Sequence, residues 1–138
     1  MNLPGELNPT ARRVAERLLT AFPDQAFSIE ALENGHVQAS LEAPPGSRAG
    51  ALVVLTAHEG DVWVRYAPPR AFYGIDDDDD LVRVVRALLA DDAVFAVISE
   101  GEEWAGTTLV APRQRPLMEP NQRAVLISWT GNQDANIE

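Results

Sequence analysis

The apolar segments of this chain follow one another through hairpin-length turns, and that spacing constrains the fold more than any other feature. Phe27, Ile29 and Ala31 alternate with polar neighbours, Asn34-Gly35 supplies a primed turn, and Val37, Ala39 and Leu41 resume the alternation. A second pair follows: Ala51 to Ala57 is a nearly continuous apolar run suited to a central strand. The turn His58-Glu59-Gly60-Asp61 leads from it into Val62 to Ala67, where Val62, Val64 and Tyr66 oppose Trp63 and Arg65. A third begins with Ala93 to Ser99, turns at Glu100 to Glu103 and returns through Trp104 to Val110. Parallel strands need a crossover of roughly a dozen residues or more, so links this short select antiparallel pairing.

Two segments change period from two to that of a helix. Asn8 can cap, Pro9 suits a first helical position, and Ala11, Val14, Ala15, Leu18 and Phe22 share one face, with an end expected near Ala21 before Pro23. From Leu81, the residues Leu81, Val84, Val85 and Leu88 form a second such face, widened by Val82 and Leu89. Pro68-Pro69 closes the fourth strand, Arg70 to Ile75 reads as a loop, Ala111 to Gln122 as a proline-interrupted excursion and Arg123 to Thr130 as a last strand. Residues 131–138 read as a polar tail. The expected architecture is a single α+β domain of order α-β-β-β-β-α-β-β-β, a largely antiparallel sheet with two helices on one face.

With 138 residues and 46% hydrophobic content, the chain suffices for one core and not for two. No run approaches the roughly 20 apolar residues of a membrane span, and Met1 to Thr10 lacks the basic head and apolar stretch of a secretory signal, so a cytoplasmic protein is expected. There is no cysteine, which removes disulfides, thiolate nucleophiles and the common structural zinc sites. There is no lysine either, which removes a Walker A loop and Schiff-base chemistry. None of the serines sits in a G-x-S-x-G elbow, and no G-x-G-x-x-G is present to cradle a dinucleotide. His36 and His58 fall in separate turns with no metal-ligand spacing between them. Neither an enzyme nor a cofactor is expected.

Charge is placed rather than spread. Residues 76–103 hold ten acidic side chains against Arg83 and Arg86, which is −8 of the protein's −10. Such a field repels phosphate and attracts basic surfaces, so nucleic acid and anionic membranes are excluded as expected partners and a basic protein surface is favoured. Asp76, Asp77, Asp78, Asp79 and Asp80 can cap the helix that follows, but one or two carboxylates satisfy that role and five repel one another. A calcium loop counted from Asp76 fails, with Leu81 at the sixth position and Ala87 at the twelfth. The run is therefore expected to form an acidic partner-binding face.

Arg70 and Tyr73, in the loop before it, are expected to contact the partner, because arginine and aromatic residues are enriched in binding hot spots; Phe72 is expected to fold inward. Glu100, Glu102 and Glu103, with Trp104 beside them, are added to the same surface. Their carboxylates lie side by side in a turn with no visible acid–base partner. Trp63 is a secondary contact, and Trp129 lies on or beside a strand.

The segment WVRYAPPRAFYGIDDDDDLVRVVRALLADDAVFAVISEGEEWAGTTL, from Trp63 to Leu109, together with SWTG at Ser128 to Gly131, resembles small bacterial immunity proteins of polymorphic-toxin systems, of the TriTu type. The first helix and hairpin match that type in general character only. The resemblance implies an antitoxin that binds and blocks a co-encoded toxin domain, an ADP-ribosyltransferase that uses NAD, and it transfers no individual binding residues. A monomer is expected to meet the toxin one to one. Type III secretion chaperones are the alternative, being small, acidic, cytoplasmic α+β homodimers. This chain departs from them in having no helix after its last strand.

Overall fold

A computed structural model of the chain describes residues 3–138, apart from the Glu59 side chain; Met1 and Asn2, which open the segment expected to lack a secretory signal, lie outside the described residues. The first helix, α1, spans Pro9–Ala21 and starts as its sequence dictates: the Asn8 side chain accepts the Ala11 amide at 2.8 Å and Pro9 occupies the first position. Five strands follow, β1 Ser28–Ala31, β2 Val37–Glu42, β3 Ala51–Thr56, β4 Val62–Tyr66 and β5 Phe72–Ile75. Helix α2, Asp78–Leu89, then leads to β6 Val94–Glu100, β7 Glu103–Val110, β8 Gln122–Ile127 and β9 Ala135–Ile137.

The molecule is a small α+β domain whose strands all pair antiparallel, and they divide between two sheets rather than forming one. The first is ordered β1-β2-β3-β4-β5 and the second β7-β6-β8-β9. At the first turn Asn34 and Gly35 both take positive φ, 62° and 77°, which is what a primed turn demands. Both helices lie against the inner face of the first sheet, where Val37, Ala39, Leu52, Val54, Val64 and Tyr66 meet Val14, Leu18, Leu81, Val85 and Leu88, all buried. No described helix is long and apolar enough to cross a membrane.

Two elements depart from expectation. Phe72–Ile75, expected as a loop, forms β5 along the free edge of β4. Ala135–Ile137, expected within a polar tail, pairs with Ala124 to Leu126 of β8 as strand β9. The end of the chain is held by side chains as well. The Asp134 carboxylate accepts from the Ser128 amide at 2.7 Å and its hydroxyl at 3.0 Å, while Asp91 accepts from the Thr130 amide at 3.2 Å and also binds the Thr130 hydroxyl. Asp91 sits at φ 56° just past α2, a left-handed position that Asp tolerates better than most residues. These clamps hold Trp129 against Tyr66, with ring centroids 5.8 Å apart.

The two sheets meet at Tyr66. Its ring packs edge-on to Phe95 of β6 at 4.8 Å, and its hydroxyl is buried with no hydrogen-bond partner among the described residues. Burial, reinforced by the Asp91 and Asp134 charges, pushes its pKa well above the ordinary 10.0, so the group stays protonated. An unpaired buried hydroxyl costs stability, so Tyr66→Phe should leave the unfolding free energy unchanged or raise it by up to about 1 kcal/mol. The unfolded chain releases this proton near the ordinary value and the folded chain does not, so wild-type stability should fall as pH rises above about 10 and that of Tyr66→Phe should fall less. Denaturant melts from pH 8 to 11 would check both. A variant less stable than wild type at neutral pH would mean that the hydroxyl is bonded.

Candidate functional site

The aspartate run begins α2 and ties it to α1. Asp77 is the N-cap, its side chain accepting the Asp80 amide at 2.7 Å, while Asp78, Asp79 and Asp80 fill the first turn, at the positive end of the helix dipole. Arg13 and Arg17, one turn apart on α1, reach Asp78 at 2.8 Å and Asp79 at 2.5 Å, and Arg83 binds Asp80. Five carboxylates against three guanidiniums leave −2 where the sequence shows −5. Asp79 is 90% exposed, so its pair adds little stability. The consequence for recognition is larger, because the densest acidic stretch of the sequence is mostly neutralised by its own chain. Asp76 and Asp77 remain exposed without an ion pair among the described residues.

A different surface gathers the expected aromatic and arginine contacts. The β4–β5 register sets Arg65 opposite Phe72, Trp63 opposite Gly74 and Val64 opposite Tyr73. Side chains alternate across a strand, so Trp63, Arg65 and Phe72 share the outer face with Leu55, and Tyr73 follows Val64 to the inner one. This reverses the expectation for the pair: Tyr73 packs on the core, and Phe72, expected inside, stands outside. Gly74 gives the Trp63 ring room. A Cβ there would lie 3.2 Å from the Trp63 ring, so glycine lets that ring settle over the strand.

Trp63, Phe72 and Trp104 form a continuous row. Trp63 meets Phe72 edge-on at 5.7 Å, and Phe72 lies 5.7 Å from Trp104, which belongs to the other sheet. The row is built where β5, an edge of the first sheet, adjoins β7, an edge of the second. Arg70, at φ 72°, places its guanidinium carbon 4.6 Å from the Trp104 ring centre. The indole N–H donates to the Thr107 hydroxyl at 3.0 Å, and that hydroxyl donates to the Arg70 carbonyl at 2.6 Å. Trp104 is thus fixed while 41% exposed. Beside the row, Leu55, Trp63, Arg65 and Phe72 line a shallow hollow of about 320 Å³.

The acidic turn borders the row at Trp104. Glu100, Glu102 and Glu103 are exposed and make no ion pair among the described residues, in contrast to the aspartates on α2. Arg123 reaches the turn but bonds the Gly101 carbonyl at 3.3 Å and the Ser99 hydroxyl at 3.5 Å. Among the expected contacts the structure brings Arg70 and Trp104 together, adds Trp63 and Phe72, and sets Tyr73 and the α2 aspartates apart; Glu100 and Glu103 pair across the adjoining β6–β7 turn on the face opposite Trp104. Phe72 could have been found from period-two parity had Phe72–Ile75 been recognised as a strand. Among the described residues, no group of three or more His, Cys, Asp or Glu is placed to hold a metal ion.

Fold and surface together define a small α+β protein with an exposed aromatic row next to an acidic turn. Comparison with protein-family models, with curated proteins and with solved structures finds no match to this chain.

Proposed function

We propose that this protein is a cytoplasmic immunity protein, a monomer that binds a bacterial toxin domain and occludes its active site. The carrying observation is the fixed row Trp63-Phe72-Trp104, capped by Arg70, with the exposed Glu100, Glu102 and Glu103 in the adjoining β6–β7 turn. Aromatic and arginine side chains supply most of the affinity in protein interfaces, and a tryptophan already locked in place forfeits little entropy on binding. Unpaired glutamates beside it complement a basic cleft, the kind of surface that recognises an anionic substrate such as NAD. This fits the resemblance to TriTu-type immunity proteins, with an ADP-ribosyltransferase as the toxin.

The test is inhibition: the purified protein should stop ADP-ribosylation by the co-encoded toxin domain at a one-to-one ratio. Rim charges act mainly on encounter, so Glu102→Arg with Glu103→Arg should slow association about tenfold at low ionic strength and flatten its salt dependence. Stopped-flow association rates at two salt concentrations measure this. Full toxin activity at a molar excess of the protein would rule the reading out.

A further inference from the structure

The chain's two histidines, 22 positions apart in sequence, stand ring against ring in the fold. Strands β2 and β3 are antiparallel neighbours, with Gln38 opposite Leu55, so the β1–β2 and β3–β4 turns come to the same end of the first sheet. His36 follows the first of these turns and His58 opens the second; their ring centroids are 5.9 Å apart at 75°. His58 is exposed and His36 half-buried.

We propose that His36 and His58 form a two-imidazole site for a divalent transition-metal ion of the zinc, nickel or copper class, independent of the surface assigned to the toxin. Two imidazoles on one tetrahedral ion, each bonded at about 2.0–2.1 Å, have ring centroids roughly 5 Å apart, so a small rotation of the exposed His58 closes the difference. The surroundings of His36 allow ligation through Nε2. Its Nδ1 lies 3.5 Å from the Thr56 hydroxyl, a buried oxygen held in place by the Val37 amide at 3.0 Å. With the proton on Nδ1 directed to that oxygen, the Nε2 lone pair is free for the metal, the arrangement by which outer contacts usually orient ligating histidines. The Asn8 side-chain amide, 3.4 Å from the same Nδ1, is a donor and favours the opposite tautomer, so metal binding exchanges one neighbour of the ring for the other. Imidazole ligands select borderline transition ions over magnesium and calcium. With two protein ligands and solvent completing the shell, the site is of moderate affinity.

Isothermal titration of the full chain with zinc chloride and with nickel chloride tests this, with magnesium chloride as the control for binding to its many carboxylates. One saturable site per chain is expected for zinc and nickel and none for magnesium. His36→Gln and His58→Gln should each weaken binding by about tenfold or more and abolish the zinc-dependent rise in melting temperature. Equal affinity in wild type and His58→Gln, or no saturable binding below about 1 mM zinc, would overturn the proposal.

Discussion

Phe95→Ala is expected to cost about 3–5 kcal/mol of folding stability, the largest single loss at the junction between the two sheets. The ring is fully buried, and it carries β6 onto Tyr66 of the other sheet at 4.8 Å, with Trp129 packed against the same tyrosine. Alanine would leave a ring-sized void between Tyr66 of one sheet and β6 of the other, beside its cross-strand neighbour Ile127, which cannot close without shifting one sheet against the other. Domains of this size are stable by only about 5–15 kcal/mol, so the melting temperature should fall by about 10 °C or more. Calorimetry would check it, and a loss below about 1 kcal/mol would mean that the sheets are joined elsewhere.

Much of this fold is written in local pattern. The cap, proline and apolar spacing from Asn8 to Phe22 place α1 to the residue, and the first two hairpins follow from alternation and their glycine-containing turns. What escapes local pattern is structure induced by neighbours. Phe72–Ile75 does not alternate and follows two prolines; it becomes a strand because the free edge of β4 offers hydrogen bonds. Ala135–Ile137 is a strand for the same reason, docked on β8 and secured through Asp134. Helix α2 starts three residues before its apolar face because Asp77 is the cap.

The site divides along the same line. Glu100 to Glu103 and Trp104 are legible because turn acids and a following strand leave little choice of exposure. The pairing of the aspartates is not legible, because Arg13 and Arg17 lie more than 60 residues away on a helix that sequence cannot place beside them. The two acidic stretches thus differ in the fold. One is mostly neutralised by its own chain, and the other carries no ion pair among the described residues.

Trp104→Ala should weaken toxin binding by at least about thirtyfold, or about 2 kcal/mol, while leaving stability nearly unchanged. The two effects separate because the indole is 41% exposed and lies at the end of the aromatic row, outside the buried core. Its loss would remove the ring under Arg70 and the partner of Phe72 together, so the surface loses both its fixed anchor and the order of its neighbours. A fall in affinity matched by an equal fall in stability would point to unfolding instead.

The most direct measurement is calorimetric affinity for the proposed toxin partner, taken for wild type, for Trp104→Ala and for Asp78→Asn with Asp79→Asn, which keeps the Asp77 cap. Binding through the aromatic row and acidic turn predicts a loss of at least about thirtyfold for the tryptophan variant and a change within about threefold for the aspartate variant. The reverse order, with the aspartates carrying the affinity and Trp104 dispensable, would contradict it.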